Sequence, residues 1–186
     1  MDLAAKVPEV TIVSGLAYGI DVIAHKAAME SGISTIIIPA HGLDRIYPSV
    51  HRSVAIQALD KGGILTEYTR ETEPERFNFV ARNRIVAGMA DAVVVVESKK
   101  KGGSLITADM AVDYGRDVFA VPGRVDDICS AGCNDLIKKN KAQLIDYADD
   151  LIAAMQWQEQ STEAIQTCLV EMMYDLTDNQ QRLLQL

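Results

Sequence analysis

Short apolar runs alternate along this chain with segments in which apolar residues recur every three or four positions. The apolar runs predict strands at Val10–Ser14, Thr35–Ile38, Gly63–Glu67, Ala92–Val96, Val118–Val121 and Gln143–Ile145. The other pattern predicts helices at 20–31, after Pro48, at 79–89, from Ser104 to about Gly115 and near 134–140. This order predicts an α/β fold with a mostly parallel sheet and helices on both faces.

The strand at Ala92–Val96 is apolar throughout, which predicts burial on both of its faces. Three lysines at 99–101 follow it, and then a glycine pair at 102–103 opens a helix. Glycines let backbone N–H groups approach a ligand, and a helix start adds partial positive charge. The segment therefore predicts a site for a phosphate or a phosphate backbone. The alternative is a tight connection that binds nothing.

Loops that follow parallel strands lie at the carboxyl edge of a sheet, where ligands bind. Four of these loops have unusual sequences, namely 14–19, 39–47, the loop from Glu67 and 99–103. We expect them to converge on one edge.

Arginines and aromatic residues lie together at the start of the helix predicted for 79–89. Arg82 and Arg84 follow Phe77 and Phe79 closely. Arginines that hold phosphates beside a ring that stacks on a base are typical of single-strand binders. The alternative, equally open, is that Phe79 packs in the core and the arginines pair with the glutamates at 67, 71 or 75.

The net charge of −8 is unusual for a nucleic-acid-binding protein. Residues 146–186 hold eight acidic residues and one arginine, whereas residues 1–145 hold eighteen acidic and seventeen basic residues. Within 76–101, six arginines and lysines face two acidic residues, a local charge of +4. A phosphate senses the charge within a Debye length of about 8 Å, so this region can still bind one.

The composition excludes several classes of protein. The chain is 48% hydrophobic, enough for a packed core. It lacks a run of about 18 apolar residues and a signal peptide, so we expect a cytoplasmic protein that spans no membrane. Three cysteines, an odd number, fit a reducing compartment. Cys129 and Cys133 have no nearby residues that would complete a metal site, and we expect no metal or cofactor.

Common enzyme motifs are missing. Gly15 and Gly19 do not form a G-x-G-x-x-G fingerprint, and the second strand ends in proline rather than in the acidic residue that binds a ribose. Ser14 is not part of a G-x-S-x-G elbow. His25 lies at the edge of an amphipathic helix, which favours a hydrogen-bonded structural role. Glu67 is a weak candidate for a general base, and we predict no catalytic residue.

The pattern divides the chain into three parts. We expect one domain at 1–155, a polar linker at 156–162 and, at 163–186, two short helices that open a further small domain. Residues 2–6 resemble the end of a helix that normally follows a strand. We therefore expect a fragment, cut at both ends.

Nine short motifs resemble, in the same order, those of the DNA-processing protein A family (DprA, also called Smf). They are Val13–Ala17, Gly19–Asp21, Ala24-His25, Gly42–Asp44, Tyr47-Pro48, Arg82–Ile85, Ser104–Ala108, Gly115–Gly123 and Asn134–Ile137. The resemblance covers roughly residues 4–152.

This resemblance implies a Rossmann-like domain that lacks its first strand here and binds single-stranded DNA in a basic pocket. It also implies a homodimer that protects incoming DNA in natural transformation and loads RecA, with no established catalysis. Residues 163–186 would begin a winged-helix-like domain. The site residues that we predict for DNA or phosphate are Ser14, Gly15, Tyr18, Gly19, Phe79, Arg82, Arg84, Lys99, Lys100, Lys101, Gly102, Gly103, Ser104 and Thr107.

The chain departs from the family pattern at several points. A Gly-Ser/Thr-Arg turn that contributes an arginine to the pocket is absent, which predicts weaker binding. Tyr18 replaces an arginine, although its ring could stack on a base, and Gly102-Gly103-Ser104 replaces Ser-Gly-Ser while keeping the backbone amides. The runner-up is an enzyme like the phosphoribohydrolases. The third glycine and the glutamate of their P-G-G-x-G-T-x-x-E motif are missing here.

Overall fold

The computed structural model describes residues 2–157. The predicted helices at 163–186 and most of the predicted linker lie outside the described residues, so this division of the chain stays a prediction. Strands are β1 (Thr11–Ser14), β2 (Ser34–Ile37), β3 (Gly63–Ile64), β4 (Ala92–Val95), β5 (Asp117–Ala120) and β6 (Gln143–Leu144). Helices are α1 (Asp2–Lys6), α2 (Ile20–Glu30), α3 (Arg52–Gln57), α4 (Arg76–Met89), α5 (Gly103–Asp113), α6 (Ala131–Lys138) and α7 (Ala148–Ala154).

The strands form parallel pairs, which confirms the predicted α/β fold. One sheet has the order β1-β2-β3 and a second has the order β4-β5-β6. Within the described residues no backbone hydrogen bond joins β1 to β4, so the single predicted sheet is divided into two. Each half is a β-α-β-α-β unit, and α4 is the crossover between them. Each sheet keeps its carboxyl ends in register, with Ser14 opposite Ile37 and Val95 opposite Ala120.

The second sheet is covered by helices on both faces. Val118 and Phe119 are neighbours in β5 and point to opposite faces, because side chains alternate along a strand. Val118 packs with residues of α4, α5 and α6, whereas Phe119 packs with Leu151 of α7 and Leu3 of α1. The first sheet buries Ile37 against α2 and α3. Helices therefore position the carboxyl edge from both sides.

Three sequence expectations need correction. β4 is not buried on both faces, since Val94 is 37% exposed. The short helices α1 and α7 pack near Ala92 and Phe119 but leave Val94 partly open. The third strand is only Gly63–Ile64, although the Leu65 N–H still donates to the Ile37 carbonyl of β2 at 2.9 Å. Helix α4 begins at Arg76, three residues before the predicted start.

His25 is fully buried on α2 and has the hydrogen-bonded place that the sequence suggested. Its Nδ1 lies 2.6 Å from Thr35 Oγ1, and the Thr35 hydroxyl donates to the Ile12 carbonyl at 3.0 Å. Thr35 has one hydroxyl hydrogen, so it accepts from Nδ1–H. Nε2 is left without a hydrogen-bond partner among the described residues. Burial therefore disfavours a second proton on this nitrogen.

Burial lowers the pKa of His25 from 6.5 to about 4, against smaller opposing effects of the Asp21 carboxylate and the Ser14 backbone. Below pH 6.5 the unfolded chain binds the proton more readily than the folded one. We predict that the free energy of unfolding falls between about pH 6.5 and 4, by up to about 3 kcal/mol. Urea unfolding across this range measures it.

The variant His25→Gln keeps a polar side chain but cannot take up this proton, so its stability should vary less over the same pH range. His51→Gln, at another buried histidine, is the matched control and should keep the His25 contribution. A His25→Gln variant with the parent's full pH dependence would contradict the assignment.

Candidate nucleic-acid interface

The loop after β1 is closed by a carboxylate of its own chain. The Asp21 Oδ2 atom accepts hydrogen bonds from the backbone N–H groups of Gly15 and Ala17, both at 3.2 Å. Leu16 between them is buried and has a φ of 65°. The Gly15 amide that was predicted to face a phosphate is therefore already occupied, because Asp21 stands where an anion would bind. Sequence reasoning missed this role of Asp21, although Asp21 lies in a quoted family motif.

Arg82 is an interior residue, with 4% of its surface exposed. Its guanidinium donates to the Ile38 carbonyl and occupies the space above Gly15, where an added Cβ would overlap it. Burial lowers the pKa of Arg82, opposed by Asp21 and Tyr68. In this conformation the guanidinium joins α4 to the ends of β1 and β2, and the predicted phosphate contact of Arg82 stays a prediction.

Arg84 lies on the outside of α4 and pairs with the Glu67 carboxylate. This is the alternative that the sequence left open for the arginines, and it also engages the weak candidate for a general base. The Arg84 side chain is 50% exposed. Exposed ion pairs contribute little free energy, so Arg84 can exchange Glu67 for a phosphate.

Aromatic rings line the same edge. The half-buried Phe79 ring lies 5.9 Å from the ring of Tyr47, and the Arg82 Cζ atom lies 6.0 Å from the Phe79 ring centroid. Tyr18 is 70% exposed and stands edge-on to the His51 ring at 5.0 Å. The His51 Nδ1 atom is 2.9 Å from the Leu16 carbonyl oxygen. The sequence analysis did not name Tyr47 as a site residue, although Tyr47 lies in a carboxyl-edge loop and in the Tyr47-Pro48 motif.

The turn between β4 and α5 is tightly packed on the side that faces Ser98 and α6. The Gly102 N–H donates to the Lys99 carbonyl at 3.0 Å, and a Cβ added at Gly102 would overlap the Ser98 hydroxyl. From α6, the Gly132 N–H donates to the Ser98 carbonyl at 2.7 Å. This packing requires glycine at positions 102 and 132 and holds the turn in one shape.

The other side of this turn is exposed to solvent. Lys99, Lys100 and Lys101 are exposed, and none has an ion-pair partner within residues 2–157. In the same part of the chain, no acceptor binds the backbone N–H groups of Gly103 and Ser104 at the start of α5. Three full charges and two unused N–H donors thus lie within six residues, the arrangement that suits a phosphate. We call residues 99–104 the lysine turn.

The predicted residues therefore fall into two groups. The first group surrounds the loop after β1 and the start of α4 and consists of Ser14, Gly15, Tyr18, Gly19, Phe79, Arg82 and Arg84. The second group is the lysine turn with Thr107 one helical turn further along α5. Helix α4 packs along α5, but no hydrogen bond or ring contact joins the two groups within the described residues. Contact with nucleic acid stays a prediction for all of them.

Neither a metal site nor a membrane span is found in the described part of the chain. No cluster of three His, Cys, Asp or Glu side chains there could hold a metal ion. No helix there is long and apolar enough to cross a membrane. Cys133 is buried, and Cys129 is partly exposed.

Comparison with known proteins identifies the family. The model of the DNA recombination-mediator protein A family matches residues 3–156. DNA processing protein DprA of Streptococcus pneumoniae is 42% identical over 149 residues, 80% of this chain and 52% of that protein. Protein Smf of Synechocystis is 45% identical over 145 residues, 78% of this chain and 36% of that protein. The chain belongs to the DNA recombination-mediator protein A family and spans about half or less of these relatives.

Solved structures agree with this result. The crystal structure of DprA from Streptococcus pneumoniae matches 81% of this chain and 53% of that one, with a TM-score of 0.74 and 42% identity. DNA processing protein A from Helicobacter pylori, described for its single-stranded DNA binding mode, matches 78% of this chain and 66% of that one, with a TM-score of 0.69 and 35% identity.

The packing of Arg82 on Gly15 predicts a large cost for a single methyl group. Gly15→Ala should lower the free energy of unfolding by about 1–3 kcal/mol, because the new Cβ must displace a buried guanidinium. Gly103→Ala is the control, since a Cβ there meets no atom within 4 Å. Urea unfolding of both variants measures the difference. Equal stabilities would show that Gly15 and Arg82 are not in close contact.

Proposed function

We propose that this protein binds single-stranded DNA at the carboxyl edge of its sheets and acts in recombination without catalysing a reaction on the DNA. The observation that carries the proposal is the lysine turn, whose three lysines and two N–H donors have no partner among the described residues. The Helicobacter pylori relative, described for single-stranded DNA binding, supports it.

The chemistry of the edge favours a single strand over a free nucleotide. The lysines and the exposed Arg84 provide cations for several phosphates, and the rings of Phe79 and Tyr18 provide faces on which bases stack. Both rings are accessible, since Tyr18 is mostly exposed and Phe79 is half-buried. Stacking needs unpaired bases, whereas a duplex offers its backbone alone.

Nothing in the described residues favours the alternative of a nucleotide-processing enzyme. The Glu67 carboxylate is paired with Arg84, and the glutamate of the phosphoribohydrolase motif is missing after the lysine turn. We propose further that the protein forms a homodimer and delivers DNA to RecA in the cytoplasm during natural transformation. Sedimentation of the purified chain and a RecA-loading assay test these two partners separately.

We predict strongly salt-dependent binding to oligo-dT. If about four cations contact phosphates, the affinity should fall roughly 50-fold between about 50 and 200 mM salt. A fluorescence anisotropy titration measures it, and a duplex of the same length is the control and should bind more weakly. Equal affinity for the duplex, or an affinity that does not change with salt concentration, would contradict the proposal. Release of free base from a nucleoside monophosphate would favour the enzyme instead.

Two variants separate stacking from phosphate contact. Phe79→Leu should weaken binding by about 1–3 kcal/mol per lost base stack while leaving the salt dependence unchanged. Arg84→Gln should reduce the log–log salt slope by about 0.7, because one phosphate contact is lost.

Lys61→Gln is the control for Arg84, since Lys61 is also exposed but precedes β3 at the opposite edge of the first sheet. It should change neither the affinity nor the salt slope. An oligonucleotide with abasic sites should bind the parent and Phe79→Leu equally well. A salt slope changed by Phe79→Leu would count against stacking.

A further inference from the structure

A second group of lysines lies near the lysine turn, at the far end of α6. Lys138 and Lys139 are exposed in its last turn, and Lys141 follows. Helix α6 begins in contact with the lysine turn, because a Cβ added at Gly132 would lie 2.6 Å from the Lys99 carbonyl oxygen. An eight-residue helix is about 12 Å long, so it leads from the turn to these lysines.

Asp135 is the point at which the two lysine groups meet. The Lys139 Nζ atom lies 2.7 Å from its carboxylate. The hydrogen bond from Lys139 is the largest cause of the lowered pKa of Asp135. Desolvation opposes it, and the charges of Lys139, Lys100 and Lys138 each lower the pKa by a smaller amount. Lys100 of the turn therefore shares one electrostatic environment with the end of α6.

Lys141 forms an ion pair with α5. Its Nζ atom lies 2.7 Å from the Asp109 carboxylate, and Asp113 and Asp135 also act on it. The surface along α5 and α6 thus holds six lysines against Asp109, Asp113 and Asp135, with Glu97 and Asp127 near the lysine turn. Both ion pairs of this surface are exposed and contribute little free energy, so the lysines can exchange aspartate for phosphate.

We propose that Lys138, Lys139 and Lys141 extend the DNA site into a track along α5 and α6. This lysine track holds backbone phosphates of nucleotides that lie beyond those bound at the lysine turn. The inference rests on the proposed function and deepens it, since it sets the length of strand that one protein molecule holds. Lysine binds phosphate as a point charge, so the track reads no base sequence.

The test compares short and long strands. The parent and the double variant Lys138→Gln/Lys139→Gln are titrated with oligo-dT of about 6 and about 16 nucleotides. The variant should bind the long strand about tenfold more weakly at about 50 mM salt, with a log–log salt slope about 1.4 shallower, because two phosphate contacts are lost. Binding of the short strand should change less than about twofold, since it is held at the lysine turn.

Two control variants complete the test. Lys26→Gln/Lys61→Gln removes the same charge from exposed lysines outside the track and should leave both titrations unchanged. Lys99→Gln/Lys100→Gln/Lys101→Gln should weaken both strands. Three outcomes would overturn the track. They are an equal loss of affinity for both strand lengths in the track variant, no loss for either length, and the same loss in the Lys26/Lys61 control. A parent that binds neither strand overturns the proposed function, and the track with it.

Discussion

The buried guanidinium of Arg82 is the contact on which the carboxyl edge of the first sheet depends. It reaches from α4 to the Ile38 carbonyl and lies over Gly15, so that one side chain joins the ends of β1 and β2. A buried charge is costly unless it is hydrogen-bonded and compensated. Here the Ile38 carbonyl accepts from it, and Asp21 lies near enough to favour its charge. Phe79, one turn earlier on α4, is half-buried beside the same guanidinium, with its ring centroid 6.0 Å from the Arg82 Cζ atom.

The carboxyl ends of the two sheets differ in which polar groups remain available to a ligand. Asp21 accepts hydrogen bonds from the N–H groups of Gly15 and Ala17, so these two donors of the loop after β1 are already used. At the lysine turn, the glycines at 102 and 132 allow close packing underneath, whereas the lysines and the first N–H groups of α5 face outward. The first half therefore offers aromatic surface and the second offers positive charge. A single strand has bases that can stack on the aromatic surface and phosphates that can bind the positive charge.

The sequence predicted every strand and nearly every helix, because apolar runs and helical periodicity are local properties of the chain. The sequence-based predictions were wrong where the burial of a side chain depends on residues that are distant along the chain. Val94 resembles its buried neighbours in sequence, but the short helices on its side leave it partly exposed. Arg82 and Arg84 are two residues apart and look alike in sequence. A helical separation of two residues turns them to different sides, so one is buried and the other pairs at the surface.

The sequence by itself determined the α/β class, the family resemblance and the place of the lysine turn, since each rests on residue types at short spacing. Only the tertiary structure decided which polar groups are already used. The Gly15 amide is occupied by Asp21, the Arg82 guanidinium by Ile38 and the Glu67 carboxylate by Arg84. The N–H groups of Gly103 and Ser104, in contrast, have no acceptor among residues 2–157. Such partners come from elements far apart along the chain, and local patterns carry no information about them. The lysine track has the same origin, because about 40 residues separate its two lysine groups in the sequence and only the packing of α6 on the turn brings them together.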